Sequence, residues 1–577
     1  MKKSWLLIII LTKISINFIY GQNLTDSLFI SPIKIPLKVS GGFGELRSNH
    51  IHSGVDFRTN SKIGEPVYAS ANGFISRIKV EPGGYGKAVY IEHPSGYTTV
   101  YAHLDAFRED INAYVRKNQY EVQKFPVDLF PEKNEILIKQ GDIIAFSGNS
   151  GGSSGPHLHF EFRDTKTQMP IHPFIFKIPV KDTSAPSFYS LEFYPLSGKS
   201  KINGRSKKLT SPVIINKRVF LSKLDTIKIT GPIGIGTEVF DAIDTGSNKT
   251  GYFSLQMDLD SVTIFRNEIS SFGFNETRYV NSLIDYREYF NTGKKISKLF
   301  IDPNNKLSTY RENINRGIID ISDTLPHKIK ITATDVSKNS STISFIIKLD
   351  KKKYPETKIT TDTCTRLFSY KTDNSYRTDS FKLYIPDNAL YTDYCFKYFT
   401  LPQKSGYYSK IYQVKEYDTP FQYPIEISIK PSGISDSLLK KAIIARLDEN
   451  NFAYSIGGIF ENNFLKAKTY FLGNFTIIID TIAPKISPLR NFTTEYQGIR
   501  KEYIAFKITD NLSGIRIYSG FINDQWALFE YDAKNNLLTH QLDSSRFEYS
   551  TETNIKIEVS DLKDNVSSFT TKFKPIK

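Results

Sequence analysis

Cysteine is almost absent from this chain. Cys364 and Cys395 are the only two in 577 residues. In an exported protein they can close one disulfide that staples a domain, or stand as two free thiols; neither form supplies catalysis. Methionine is scarce, and Ala-rich helical periodicity is nearly missing, which argues against a mainly helical fold. Beyond the N-terminus no apolar run is long enough to span a bilayer. A formal charge of +15 is spread as scattered Lys, with no compact basic block. What is abundant is strand-forming material: 34 Tyr and 41 Phe, with many Ile, Thr and Val. The length allows roughly three to five domains.

The N-terminus, "MKKSWLLIIILTKISINFIYGQ", has a charged start at Lys2 and Lys3 and a short apolar run from Trp5 to Leu11, interrupted by Lys13. It has the form of a signal peptide over residues 1–21; an uncleaved anchor is the alternative, but the run is short for a spanning helix. A basic balance suits anionic partners such as nucleic acid, lipid headgroups or cell-wall polymer. Export argues against nucleic acid and against an integral membrane domain once the signal is cleaved. It predicts a periplasmic, cell-surface or secreted protein.

Seven of the nine histidines fall between residues 50 and 172, which points at one region for chemistry. In "GPHLHFEF", Gly155 to Phe162, His157 and His159 alternate with apolar residues, and Glu161 follows in the same alternation. On a strand both imidazoles share a face with backbones about 6.6 Å apart, so both can reach one small target. That stretch alone fits a pair of half-buried strand histidines as well as a metal or proton-transfer site. Upstream, His52 and Asp56 stand four apart. On an extended strand they would be about 13 Å apart, too far to share an ion, but Ser53-Gly54 permits a bend that brings imidazole and carboxylate together. A surface His–Asp pair is the bland alternative. His50 has the wrong spacing to replace His52 and is expected beside the ligands or facing substrate. His93 precedes Pro94 in a turn and reads as structural. His103 closes the strand "TTVYAH", with Tyr101 and Thr99 as its alternation partners; it is structural if alone and a proton donor if beside a metal.

These pieces resemble the M23 peptidases, the lysostaphin and LytM type of zinc endopeptidase. The resemblance rests on H-x-x-x-D at His52 to Asp56, Y-A-H-L at Tyr101 to Leu104 and G-P-H-L-H-F-E at Gly155 to Glu161, with "GEPVYASANG" and "GDIIAFSGNSG" between them. It covers about residues 40 to 175. It implies Zn2+ held by His52, Asp56 and His159, with His103 and His157 as the catalytic pair flanking the activated water. Three protein ligands leave a fourth tetrahedral position open, as catalytic zinc requires. The reaction implied is amide hydrolysis without a covalent enzyme intermediate, in peptidoglycan cross-links. A protease of non-wall peptides, and a non-catalytic wall-binding or amidase-activating protein, are the alternatives. Members that have lost ligands act as regulators; here all five positions are present.

The fold expected is all-β: a LytM-type antiparallel catalytic domain over 35–180, then immunoglobulin-like β-sandwich modules. The long connection 105–140 predicts an amphipathic helix, from Leu104, Phe107, Ile111, Tyr114 and Val115, followed by a Pro-rich extended return; it is either a packed insertion or a lid. D-T-x-A-P recurs at Asp182 and Asp480, and "IKITATDVSKNSS" echoes "IKIEVSDLKDNVSS". Residues 182–350 and 480–577 are therefore read as related sandwiches, the first carrying an insertion within 265–320. Residues 353–479 form a third β-module with one helical patch, "DSLLKKAIIARL". These modules serve as spacers, or one of them binds wall, glycan or a protein regulator. Their Asp and Asn turns spell out no complete calcium loop.

Overall fold

The computed structural model describes residues 28–216, 219–243, 248–352, 354, 364–496 and 499–573. The signal-peptide reading of residues 1–21 lies outside them. Strands dominate throughout. No helix among the described residues is long and apolar enough to cross a membrane.

The histidine-rich region is built on an antiparallel sheet. Its order is Val39–Gly41, Val55–Arg58, His157–Asp164, Tyr97–Phe107, Lys87–Glu92, Gly73–Val80 and Leu137–Ile138. Alternation sorts the side chains into two layers. Phe57, Leu158, Phe160, Tyr101, Val89 and Ile91 share one face and are fully buried in the core. Removing each such side chain from water contributes about 1.5–3 kcal/mol. The register places Asp56 opposite His159, His159 opposite Ala102, and Glu161 opposite Val100 on the other face. That face rests on a small layer of Ala88, Tyr90, Val100 and Ala102.

The connection after Phe107 begins with the helix Glu109–Val122, which buries Ile111, Val115 and Gln119. Its Pro-containing return is not a free hinge. Val127–Leu129 and Leu137–Ile138 both pair with Gly73–Val80. That strand is separated from the His157 strand by two others. The connection is thus built into the far edge of the sheet and does not form a lid across the histidines; sheet pairing satisfies backbone groups that a mobile lid would leave to water.

Downstream, strands from Ser187–Pro195 to Ser340–Leu349 form a second large sheet system. Its apolar residues are continuous with the first core in one cluster. Between Glu268 and His327 the strands give way to the helices Val280–Leu283 and Tyr286–Thr292 and short pairings. Residues 364–480 pack two five-stranded sheets around a separate core. Cys364 and Cys395 are joined there by a disulfide, with Cα atoms 5.2 Å apart. The helical patch expected at "DSLLKKAIIARL" is helical only over Asp436–Leu439; Ala442–Leu447 is a buried strand. The β-branched Ile443 and Ile444 pack better on a sheet than on a helix, and tertiary burial overrides the local periodicity. The last strands, Lys485–Pro488 to Val566–Lys572, enclose a third core.

Both flanking regions grip the histidine-bearing sheet. Arg58 donates to the Asn248 side chain, Asn248 donates to the Ser40 carbonyl, and Phe43 packs on Phe272. From the other side Lys87 pairs with Glu530, Arg116 with Asp543, and Tyr120 lies edge-on to Trp526.

Candidate metal centre

His52 follows the hairpin of Leu46–Arg47 with His50–Ile51. Two residues later Gly54 allows the chain to pass under the His157 strand. A Cβ at Gly54 would lie 2.6 Å from the Phe160 carbonyl and 2.8 Å from the His159 ring. Lack of a side chain, and not an unusual backbone angle, is what the position requires. Asp56 then emerges in mid-strand beside His159.

Three donor atoms meet at this point. His52 Nε2 lies 3.1 Å from His159 Nδ1 and 3.2 Å from Asp56 Oδ1, and His159 Nδ1 lies 2.8 Å from Asp56 Oδ1. All three residues are buried. The outer contacts fix which atoms face inward. His52 Nδ1 is 2.7 Å from the Gly42 carbonyl, an acceptor only, so it must donate and leave Nε2 as a lone pair. His159 Nε2 donates to Glu161 Oε1 at 2.8 Å, which frees Nδ1. Arg47 Nη2 donates to Asp56 Oδ2 at 2.9 Å and leaves Oδ1 for the centre.

Without a cation this arrangement needs a shared proton. Burial disfavours a charged His159, but the hydrogen bonds and charges of Asp56 and Glu161 outweigh it and lift the imidazole to about 9. Burial likewise opposes ionisation of Asp56, and the surrounding His52, His157 and His159 hold its carboxyl well below the usual range. Two imidazole nitrogens and a carboxylate oxygen at mutual distances of 2.8–3.2 Å approach the edges of a tetrahedron around an ion bound at about 2.1 Å. The donor set and its oriented outer contacts fit zinc.

Glu161 is the residue that sequence reasoning left without a role. It is fully buried and accepts from Ser53 Oγ, Tyr85 Oη and Arg163 Nε, each at 2.6 Å, besides His159. Burial opposes its charge, but Arg163 and His159 more than compensate and depress its pKa. The signal was present in the alternation itself: His157, His159, Glu161 and Arg163 occupy one face of "HLHFEFR".

His103 reaches the centre by a route that alternation did not foretell. The strand does not end there but runs from Tyr97 to Phe107. Lys87 pairs with Leu104 and Val89 with Tyr101, so two residues oppose one and the strand bulges. His103 sits in the bulge at φ +58°, an uncommon left-handed conformation for a residue with a Cβ. Strict alternation would place it with Tyr101 in the core; the bulge turns it to the site face. Its ring centroid is then 4.9 Å from that of His157 and 5.7 Å from that of His159. His103 Nδ1 donates to the Ser150 carbonyl at 2.9 Å, and His157 Nδ1 to the Gly155 carbonyl at 2.8 Å. The Gly/Ser loop therefore orients both rings through Nδ1 and leaves both Nε2 atoms unengaged by the loop. Burial, reinforced by His159 and His157, pushes His103 down to about 3. His157 Nε2 is 3.5 Å from Asp56 Oδ1, and both rings are half-buried.

The other histidines lie elsewhere. His50 is exposed, with Nδ1 3.1 Å from the Ser48 carbonyl. His93 is buried between the Asn72 carbonyl and Thr99 Oγ1, a structural role.

Parts of the chain match known protein families. Residues 50–120 match Peptidase family M23, and residues 365–480 match the Zu5-like domain. Over 150 residues, 25% of this chain, the sequence is 33% identical to the DD-carboxypeptidase/endopeptidase Mpg of Neisseria meningitidis serogroup B; the match spans 28% of that protein. It is 33% identical over 130 residues to the peptidoglycan DD-endopeptidase ShyB of Vibrio cholerae, covering 22% of this chain and 24% of that one. Among solved structures, a zinc-containing peptidase from Vibrio cholerae is 29% identical over 25% of this chain and 39% of its own, with a TM-score of 0.19. The chain thus spans about a quarter of the length of the curated relatives it matches. On these matches, residues 50–120 carry the signature of peptidase family M23.

Proposed function

We propose that this protein is an exported zinc metallo-endopeptidase that hydrolyses amide bonds in peptidoglycan cross-links. The observation that carries the proposal is the convergence of His52 Nε2, Asp56 Oδ1 and His159 Nδ1 beside two half-buried imidazoles, His103 and His157, each held through Nδ1 by a backbone carbonyl. The names of the relatives support the substrate class. In this reading residues 35–180 are the peptidase domain, 182–350 and 480–577 are immunoglobulin-like sandwiches, and 353–479 is a further β-module.

His52, Asp56 and His159 would hold the ion, and Glu161 and the Gly42 carbonyl keep the two imidazoles in the tautomers that ligation needs. Zinc bound there would supply Lewis-acid polarisation of the scissile carbonyl and an acidified water. His103, kept neutral by burial and oriented by Ser150, takes the proton of the attacking water and returns it to the departing amine. His157, when it carries a proton on Nε2, donates to the carbonyl oxygen as negative charge develops. The amide C–N bond breaks, a carboxylate and an amine are produced, and no covalent bond to the chain forms.

The test is digestion of purified peptidoglycan by the zinc-loaded protein, with Asp56→Ala as control. New free amines and shortened cross-linked peptides are expected with the parent protein only. Wall binding without amine release would leave a non-catalytic binder or activator, and cleavage confined to non-wall peptides would leave a protease of different substrate.

A further inference from the structure

Outside the zinc-type site, two further groups of carboxylates converge, and they do so in the same way. Asp480, Asp510 and Asp561 place oxygens within 4.8 Å of one another, as do Asp182, Asp241 and Asp335. The two sets occupy matching places. Asp480 and Asp182 open the two D-T-x-A-P joints. Asp510 follows the strand Ile499–Thr509 and Asp241 follows Ile233–Phe240. Asp561 ends Asn554–Asp561 and Asp335 follows His327–Thr334, each just before the final strand of its region.

The hydrogen bonds repeat as well. Asn565, four residues after Asp561, donates its backbone N–H to Asp561 Oδ1 at 2.9 Å and its side-chain amide to Asp561 Oδ2 at 2.6 Å; that amide also reaches the Asp480 carbonyl at 3.0 Å. Asn339, four residues after Asp335, donates to Asp335 Oδ1 and Oδ2 at 2.8 Å each, and to the Asp182 carbonyl at 3.2 Å. One clamp has been built twice.

In the last region the clamp leaves oxygens without a donor. Asp480 is 1% exposed; its Oδ2 accepts from the Ser513 N–H at 3.1 Å, but its Oδ1 is buried with no hydrogen-bond partner. Asp510 repeats this: Oδ2 accepts from the Leu512 and Gly514 N–H groups, and Oδ1 is buried and unpartnered. The nearby lysines do not neutralise the group. Lys441 Nζ donates to the Lys563 carbonyl and Asn565 Oδ1, and Lys563 Nζ to the Gly458 carbonyl. Among the described residues, none of these three carboxylates forms an ion pair with Lys or Arg. Three carboxylates this close repel, and a buried carboxylate oxygen without a donor is costly.

We propose that Asp480, Asp510 and Asp561 bind a hard divalent cation of the calcium class, and that Asp182, Asp241 and Asp335 form its counterpart. Donors that are all oxygen select calcium or magnesium over zinc. Two oxygens on one calcium bound at about 2.4 Å stand at most about 4.8 Å apart, wide enough for each set, whereas magnesium at about 2.1 Å demands a tighter cage. The half-buried Asp510 gives the ion access, and water completes the coordination. The cation ties the last turn of each region, through the Asn clamp, to the joint that precedes it.

Calcium binding to the full-length, zinc-loaded protein decides the matter, read by native mass spectrometry and by the melting temperature. Two calcium ions per chain beside the zinc are expected, with a rise in melting temperature on adding calcium. Asp480→Asn, which keeps an oxygen for Ser513, and Asp510→Asn should each bind one calcium. Asp480→Asn combined with Asp335→Asn should bind none. A folded parent protein that takes up no calcium at about 10 mM, above the range in which extracellular calcium modules saturate, overturns the proposal. So does uptake that neither Asp480→Asn nor Asp510→Asn reduces. The parent stoichiometry remains decisive if a variant fails to fold.

Discussion

His52, Asp56 and His159 each contribute one of three converging atoms, so replacing any of them by Ala should remove zinc and activity together. His103→Ala and His157→Ala should retain zinc and lose turnover by roughly 10²- to 10⁴-fold, the usual range for a general acid or base. Zinc per chain and the rate of cross-link cleavage separate the two classes; zinc retained in His159→Ala and lost in His157→Ala would reverse the roles within the H-L-H. Glu161→Gln keeps the shape but weakens the acceptor for His159 Nε2, and should lower zinc affinity about 10- to 100-fold. A second residue-scale effect concerns pH. His540 is 1% exposed, between the Leu528 carbonyl and Tyr549 Oη, and burial pushes its pKa down to about 4. The unfolded chain protonates this group near 6.5, so its contribution is present above that pH and is lost as pH falls toward 4, by about 3 kcal/mol. Urea unfolding of the last region at several pH values should show this slope, and His540→Asn should flatten it while lowering stability at neutral pH.

At the scale of elements, the bulge at His103 and the glycine at 54 do what the motifs alone could not specify. A Cβ at Gly54 would strike the Phe160 backbone and the His159 ring at once. Gly54→Ala should therefore displace His159, reduce zinc occupancy and cost about 1–3 kcal/mol of stability; zinc content and thermal unfolding measure both. The disulfide is a contrasting case. Cys364 and Cys395 lie 31 residues apart in the chain. Closing a loop of that length stabilises by about 3–4 kcal/mol in the chain-entropy account. Cys364→Ser should lower the unfolding midpoint of residues 364–480 and leave zinc content unchanged. Of the apolar positions whose spacing predicts the helix, Ile111, Tyr114 and Val115 lie in it, but Leu104 and Phe107 belong to the strand Tyr97–Phe107, where sheet pairing overrides the helical spacing. The return after the helix was not legible, because prolines in "KFPVDLFPEKN" look the same in a hinge and in short edge strands; only pairing with Gly73–Val80 distinguishes them.

Across the whole molecule, the last region reaches the loop that orients the two outer histidines. Lys534 Nζ donates to the carbonyls of Asn149 and Ser153, which bracket Ser150, the acceptor for His103 Nδ1. Residues almost four hundred positions apart thus share one loop. Lys534→Ala should leave zinc content intact and lower kcat by roughly 2- to 30-fold, the size of coupling carried through such contacts. A rate that rises instead would show that this region obstructs the site. Pairings such as Arg116 with Asp543, or Lys87 with Glu530, carry no local signature, since any exposed Lys or Arg is compatible with solvent.

The kind of chemistry and the material for strands are already written in the residue order. Ligation demands particular residue types, so His52, Asp56 and the H-L-H stand out whatever surrounds them, and alternation of apolar residues sets which side chains share a face. The same order also shows that two stretches of the chain echo each other, through D-T-x-A-P and the later Asp. Convergence came only with the fold in three dimensions. His52 and His159 are 107 residues apart and meet because two antiparallel strands happen to register Asp56 against His159. His103 faces them because one extra residue reverses its side, a backbone event that no side-chain pattern encodes. The carboxylates of each Asp trio come from three separate turns, and their common focus exists only once the strands between them have paired.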